Sequence, residues 1–153
     1  MNRKKSREYL MQLIYQMDIT KDSAGDVFDT FMENEDIEKK GIDLSYIKTC
    51  LIGIMRDKEL IDSKIESKLV NWKLSRISKV NIAIARLSVF EMFFYKEDDI
   101  PAKVSINEAI ELCKEFSDEK SVAFINGLLD KVYKAEDMDD TEIEEEVVAE
   151  IVE

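Results

Sequence analysis

The stretch RISKVNIAIARLSVFEM, residues 76–92, carries apolar side chains at the spacing of an α-helix. Val80, Ile84, Leu87 and Phe90 follow one another at intervals of four, three and three residues. This spacing places side chains on one face of a helix, whereas a half-buried strand would alternate apolar and polar residues. No part of the chain shows a sustained alternation of that kind. The sequence therefore predicts an all-α protein.

Three helices are predicted before this stretch. The first covers about 4–19, and a shorter one carries the apolar residues of Val27–Met32. One long helix is predicted from Ile47 to Leu69, because apolar residues keep helical spacing throughout this segment. Trp72 follows in a polar stretch that we interpret as a short helix or turn joining two halves of the protein.

Two helices are predicted after this stretch. Pro101 lies near the start of the first of them, where its missing N–H costs little, and that helix buries residues between Ile106 and Phe116. The second continues through Asn126-Gly127, although this pair is typical of a hairpin, because the flanking apolar residues keep a helical register. Glycine inside a helix costs about 1 kcal/mol relative to alanine, so we expect another helix to approach closely at Gly127.

The composition limits the chemistry that the chain can perform. Its 153 residues, 45% of them apolar, are enough for one domain that folds alone. The absence of histidine removes the commonest general base and every imidazole metal ligand. Cys50 and Cys113 lie within helical apolar patterns, so we expect reduced core thiols. No run reaches the roughly 18 apolar residues of a membrane span, and we expect a cytoplasmic protein.

The charge is concentrated at the two ends. The net charge is −12, yet four cations, Arg3, Lys4, Lys5 and Arg7, stand among the first seven residues. Positive charge is unfavourable at a helix N-terminus, so we expect these residues to serve another purpose. Residues 135–153 contain ten acidic and no basic residues, which predicts a disordered tail. Aliphatic residues recur there every four positions, leaving open an amphipathic helix that docks on the basic start.

Three segments resemble the NusB family. They are RKKSREYLMQLIYQ (3–16), RISKVNIAIARLSVFEM (76–92) and IPAKVSINEAIELCKEFSDEKSVAFINGLLDKV (100–132). The resemblance covers about residues 3–134 and implies two perpendicular helical halves, about 1–70 and 71–134, with about seven helices. It also implies transcription antitermination in ribosomal RNA operons, with no catalysis. Such proteins bind the boxA element of single-stranded RNA together with NusE, a small ribosomal-subunit protein, and join RNA polymerase and other Nus factors.

The candidate RNA-binding residues follow from the basic start and from this resemblance. Lysine and arginine bind phosphates, and sequence-specific binding of single strands needs flat side chains on which bases stack. Gln12 and Tyr15 follow the basic start at helical spacing, although Tyr15 is equally compatible with a core position. The resemblance adds Lys120 and Phe124, and it suggests Asn81 and Ser88 as contacts for NusE. The predicted RNA-binding set is Arg3, Lys4, Lys5, Arg7, Gln12, Tyr15, Lys120 and Phe124.

Two other functions remain open at this point. The chain resembles the RNA-recognition domain that some RNA cytosine methyltransferases carry, or it is a helical adaptor whose partners are only proteins. No glycine-rich phosphate loop is present, so we expect no nucleotide cofactor. Glu108, Glu111 and Glu115 share a helix face without any histidine, so we expect no metal site. Some NusB relatives self-associate, which leaves a homodimer of the free protein open.

Overall fold

The structure, a computed structural model, describes residues 1–70 and 73–152, with side chains for 1–70 and 73–136. The described part is all-α, as predicted, and contains no strand. It consists of seven α-helices and one 3-10 turn, Leu74–Arg76. The helices are α1 Arg3–Thr20, α2 Ala24–Glu33, α3 Leu44–Arg56, α4 Lys58–Glu66, α5 Lys79–Phe93, α6 Ala102–Phe116 and α7 Glu119–Val152.

Helix α5 is the centre of the fold. Every residue from Asn81 to Glu91 is buried, and α5 contacts α1, α3, α4, α6 and α7. On a helix that is buried on all sides, charged side chains need partners inside the protein. Arg86 meets this need by binding Asp62 of α4 through two hydrogen bonds of 2.8 and 3.0 Å. Glu91 forms the second such centre, described below.

Side-chain caps fix where four of the helices begin. Asn2, Ser23, Asp43 and Ser78 precede α1, α2, α3 and α5, and each accepts a hydrogen bond from a backbone N–H of the first turn. These caps satisfy donors that the helix itself leaves free. The start of α1 is held further by the Asn2 N–H, which donates to the Gly41 carbonyl oxygen at 2.7 Å. The N-terminal turn of α1 is therefore fixed against the loop before α3.

The prediction of one long helix from Ile47 to Leu69 is wrong, because α3 and α4 are separate helices that meet at Asp57. Within α4, Ile61 and Ile65 are buried in the core, and Asp62 accepts a hydrogen bond from Arg86. The apolar spacing runs through the break without a change of phase, so the pattern alone did not reveal it. The prediction for Trp72 lies outside the described residues.

The close helix approach occurs at Gly53 rather than at Gly127. A Cβ atom on Gly53 would lie 2.6 Å from Phe90 Cε2 and closer still to Cζ, so α3 and α5 touch at this glycine. No described atom lies within 4 Å of a Cβ built on Gly127, so the prediction that another helix approaches closely there is wrong. Gly127 does lie within α7, as predicted, and not in a hairpin.

The prediction of a disordered tail at 135–153 is left untested. The backbone of α7 is helical to Val152, but the side chains of 137–153 lie outside the described residues. Cys50 and Cys113 are buried free thiols, as predicted, and burial raises the pKa of Cys113 to about 11. Among the described helices, none combines the length and apolar character needed to cross a membrane.

Gly53→Ala should destabilise the protein by about 1–3 kcal/mol, because the added methyl group overlaps the Phe90 ring in a packed core. Urea denaturation followed by circular dichroism measures this loss. Gly25→Ala in α2 is the matched control, since a Cβ there has no described atom within 4 Å. Equal stability of the two variants would contradict the tight α3–α5 contact.

Candidate nucleic-acid interface

The four cations of the basic start divide into two pairs. Arg7 is buried, Arg3 is partly buried, and Lys4 and Lys5 are exposed. The helical period explains this division, because Arg3 and Arg7 precede Leu10 at the spacing of the apolar face of α1. The two arginines therefore face the protein, while the two lysines face solvent.

Arg7 binds the buried carboxylate of Glu91. Its Nε donates to Oε1 at 2.7 Å and its Nη2 donates to Oε2 at 3.1 Å. The Tyr46 hydroxyl donates to Oε1 at 2.6 Å, and the Ser105 hydroxyl donates to Oε2 at 3.1 Å. Glu108, which also belongs to α6, approaches Arg7 Nη1 at 3.7 Å. Both carboxylate oxygens are thus satisfied by groups from α1, α3 and α6.

The electrostatics of this centre keep the Arg7 guanidinium and the Tyr46 hydroxyl protonated. Burial opposes the charge of Arg7, but the hydrogen bonds and the attraction of Glu91 outweigh it, so the pKa of Arg7 is raised. Burial and the neighbouring Glu91 also raise the pKa of Tyr46. The Tyr46 hydroxyl therefore remains a hydrogen-bond donor to Glu91 at any physiological pH.

Arg3 forms a second, more exposed junction. Its Nη2 donates to Asp43 at 3.0 Å and to Asp98 at 2.7 Å, and its guanidinium lies 4.2 Å from the centre of the Tyr46 ring. Asp43 caps α3, and Asp98 belongs to the segment between α5 and α6. Arg3 therefore connects the first turn of α1 to two other elements, and its guanidinium is already paired with two carboxylates of this chain.

These contacts revise the predicted RNA-binding set. Arg7 is withdrawn from it, because its guanidinium is buried on Glu91 and cannot reach a phosphate without breaking the core. Arg3 is also committed to carboxylates of the protein. The signal was present in the sequence, since Arg3, Arg7, Leu10, Ile14 and Met17 alternate at intervals of four and three. Cations on the apolar row of a helix indicate internal ion pairs.

The outward side of α1 collects the other predicted residues. Lys4, Lys5 and Gln12 are exposed, and Tyr15 is 38% exposed, so its ring is accessible to a ligand. Their positions along the helix place all four on the side opposite the buried row. This outward face of α1 presents cations, an amide and an aromatic ring.

Two carboxyl groups at this face were not predicted: Glu8 lies within the face, one turn after Lys4 and one turn before Gln12, and Glu115 of α6 lies beside Glu8. The Glu8 carboxylate forms an ion pair with the Lys5 ammonium at 3.1 Å. A hydrogen bond between Glu8 and Glu115 of α6 raises the pKa of Glu115. The carboxylates lower the local positive potential beside Lys5 and Lys4.

Lys120 and Phe124 lie on α7 and line a different surface. They border a groove of about 360 Å³ together with Arg76, Ile77 and Ser78. Lys120 is exposed and Phe124 is partly buried against the core. Arg76, on the 3-10 turn, is a cation of this groove that sequence reasoning missed, because nothing in its spacing distinguishes it from other surface arginines. The predicted residues therefore occupy two surfaces, one on α1 and one on α7.

Asn81 and Ser88, predicted as contacts for a partner protein, belong to α5 and are buried. Asn81 lies at the floor of the groove, donating to Ser121 and accepting from Ser117, both at 2.8 Å. Ser88 has no exposed surface at all. Burial leaves little surface of either residue to a partner protein, and their assignment to the NusE contact stays a prediction. Asn81 joins α5 to the start of α7.

The described residues contain no group of three or more histidine, cysteine, aspartate or glutamate side chains suited to a metal ion. Glu111 pairs with Lys114 at 3.3 Å, while Glu108 and Glu115 turn toward Arg7 and Glu8. The three glutamates of α6 thus serve separate neighbours.

Arg7→Met should destabilise the fold by about 3–5 kcal/mol, because it leaves the buried Glu91 charge without its partner. Adding Glu91→Leu should recover part of this loss, since the double variant buries no charge at this position. Chemical denaturation of both variants measures the difference. Lys4→Met is the control and should change stability by less than about 0.5 kcal/mol. A similarly small effect of Arg7→Met would contradict the role given to this pair.

Comparison with known sequences shows extensive similarity to one family. The profile of the NusB family matches residues 4–134. The transcription antitermination protein NusB of Clostridium perfringens (strain SM101 / Type A) is 64% identical over 134 residues, covering 88% of this chain and 98% of that protein. The protein of the same name from Clostridium acetobutylicum is 49% identical over 129 residues, covering 84% and 93%.

Solved structures agree with the sequence matches. The chain resembles T. maritima NusB with a TM-score of 0.74 and 32% identity, covering 88% of this chain and 92% of the other. It resembles a crystal structure of antitermination factors NusB and NusE in complex with dsRNA with the same TM-score of 0.74 and 30% identity, covering 86% and 96%. On these matches, and with the helical architecture described above, the chain belongs to the NusB family.

Proposed function

We propose that the protein is a transcription antitermination factor that binds boxA-type RNA of ribosomal RNA operons as a heterodimer with NusE. In this role it joins the RNA polymerase complex with other Nus factors, acts in the cytoplasm, and catalyses no reaction. The observation that carries the proposal is the outward face of α1, where Lys4, Lys5, Gln12 and Tyr15 are presented together by a helix that the core holds rigidly. Membership of the NusB family indicates transcription antitermination as the process in which this face acts.

The chemistry of the outward face suits single-stranded RNA. Exposed lysines attract phosphates as mobile point charges, whereas the fixed arginines serve the fold. The half-exposed ring of Tyr15 offers a base a stacking surface, and Gln12 beside it can donate to and accept from a base edge. Two cations give limited affinity by themselves, so specificity must come from stacking and from a second protein or surface.

The groove on α7 supplies a second surface. Arg76 and Lys120 are cations at its border, and Phe124 contributes an aromatic ring. Such a combination of positive charge and aromatic surface is typical of sites for unpaired nucleotides. We assign Lys120 and Phe124 to RNA binding on this ground, with Arg76 added to the set.

Binding of a fluorescent boxA-type RNA, measured by anisotropy with and without NusE, tests the proposal. Tight, sequence-selective binding that NusE strengthens is the expected result. Binding of NusE without any binding of RNA would instead indicate an adaptor whose partners are only proteins.

Lys4→Ala/Lys5→Ala should weaken binding of all RNA sequences alike. If each lysine neutralises one phosphate, the slope of log affinity against log salt should become shallower by about 1.4. The matched control is Lys40→Ala/Lys48→Ala, which removes two exposed cations from other elements. A slope that is unchanged relative to wild type would show that the lysines of α1 do not contact RNA.

Tyr15→Ala should cost about 1–3 kcal/mol of RNA binding, because a stacked base loses its platform. Tyr15→Phe should retain most of the affinity, since the ring and not the hydroxyl provides the stacking surface. Thermal melts of both variants serve as the control. A loss of stability in Tyr15→Ala as large as its loss of binding would mean that the tyrosine is only part of the core.

A further inference from the structure

A second groove lies between the segment that follows α4 and the middle of α7. It has a volume of about 320 Å³, and we call it the α4–α7 groove. Leu69, Val70 and Leu128 give it an apolar lining, and each of the two segments that form it contributes one lysine, Lys68 or Lys131. Cavities of about 300 Å³ and larger bind small molecules in proteins. The groove is therefore large enough for a group of the size of a nucleobase.

The two lysines of this groove are not neutralised within the described part of the chain. Neither Lys68 nor Lys131 lies within ion-pair distance of a described carboxylate. Asp130, which precedes Lys131 in the sequence, pairs instead with Lys134 at 2.9 Å. The α4–α7 groove thus combines an apolar lining with positive charge that attracts an anionic ligand.

One row of residues on α7 connects the α4–α7 groove to the groove that holds Arg76. Lys120, Phe124, Gly127 and Lys131 follow one another at intervals of four, three and four residues, so they lie on one side of the helix. Phe124 lines both grooves. The row begins at a cation of the first groove and ends at a cation of the second, about 16 Å further along the helix. The two grooves therefore form one continuous surface.

Gly127, in the middle of this row, is not explained by packing within the protein. A Cβ built on it has no described atom within 4 Å, so the described part of the chain does not require glycine there. Glycine inside a helix is less favourable than alanine, but it lets a ligand approach the backbone closely. Because Gly127 lines the α4–α7 groove, a ligand held in this groove accounts for the missing side chain.

The chemistry of the groove favours a nucleic acid over a protein as its ligand. Lysine is depleted in protein–protein interfaces, whereas lysines along an aromatic and apolar surface are typical of sites for single-stranded nucleic acids. Phosphates suit the two unpaired lysines, and unpaired bases pack on apolar as well as aromatic side chains. Val70 offers such a surface, since it is 70% exposed. Single-stranded RNA therefore matches both the charge and the lining.

We propose that the RNA path does not end at Phe124 but continues along α7 into the α4–α7 groove, which binds unpaired nucleotides that flank the boxA-type core. The inference rests on the function proposed above and adds a subsite beyond the two surfaces assigned there. Lys68 and Lys131 bind the phosphates, and Gly127 leaves room for the strand beside the helix. Because these contacts reach phosphates and base faces, the subsite does not select the sequence of the flanking nucleotides.

Anisotropy titrations of the full chain with NusE and three RNAs test this subsite. One RNA is the boxA-type core, and the others carry unpaired uridines added at its 5′ or its 3′ end. Wild type should bind one extended RNA about tenfold more tightly than the core. Lys68→Ala/Lys131→Ala should remove this gain and leave binding of the core unchanged. Lys40→Ala/Lys48→Ala, which removes two cations from other elements, is the matched control and should keep the gain.

Gly127→Ala separates a ligand contact from a defect of the fold. Alanine favours the helix and meets no described atom, so the midpoint of thermal unfolding should rise. The added methyl group occupies space assigned to RNA, so the gain from the extension should fall about threefold or more. Gly25→Ala in α2 is the matched control, since α2 lines neither groove, and it should leave the gain unchanged.

The possible failures point to different parts of the account. A wild-type chain that binds the core but gains nothing from either extension would overturn the subsite and leave the proposed function standing. Absence of binding to the core itself would overturn both. If Lys40→Ala/Lys48→Ala removes the gain as fully as Lys68→Ala/Lys131→Ala, the gain reflects net charge and the groove plays no part. Loss of NusE binding in Lys68→Ala/Lys131→Ala, with the gain intact, would assign the groove to a protein.

Discussion

The carboxylate of Glu91 is the interaction on which the rest of the structure depends. It lies at the end of the buried helix α5 and accepts hydrogen bonds from Arg7, Tyr46 and Ser105, which belong to α1, α3 and α6. Removing a partner from a buried charge costs about 3–5 kcal/mol, which is a large fraction of the stability of a small domain, so the arrangement of these helices around Glu91 is strongly favoured. The position and rotation of α1 are consequences of this arrangement.

The rotation of α1 in turn decides what the protein offers to a ligand. With Arg7 directed at Glu91 and Arg3 at Asp43 and Asp98, the lysines between them must point outward. Arginine suits the internal positions because its planar group binds carboxylates with two parallel hydrogen bonds, whereas lysine keeps its hydration and its mobility. One short segment thus anchors the fold with two residues and prepares a cationic face with the other two.

The sequence predicted those features that depend on the helical period alone. The all-α class, the first helix and the continuation of α7 through Gly127 belong to this group, since apolar spacing is a local property. The break at Asp57 was missed because both helices keep the same apolar phase, and the choice between Gly53 and Gly127 depends on which helix lies opposite. The spacing of Arg7 on the apolar row of α1 indicated an internal ion pair, but its partner, the buried Glu91 on a distant helix, is a property of the tertiary structure.

NMR during a titration with boxA-type RNA distinguishes the structural role of Arg7 from the RNA-binding role of Lys4 and Lys5. The Arg7 Nε–H is shielded by Glu91, so its signal should be visible at neutral pH and should not move when RNA is added. The side-chain signals of Lys4 and Lys5, followed after isotopic labelling, should shift as the RNA binds. A large shift of the Arg7 signal with unmoved lysine signals would contradict the account, because it would mean that the buried arginine leaves Glu91 to bind RNA.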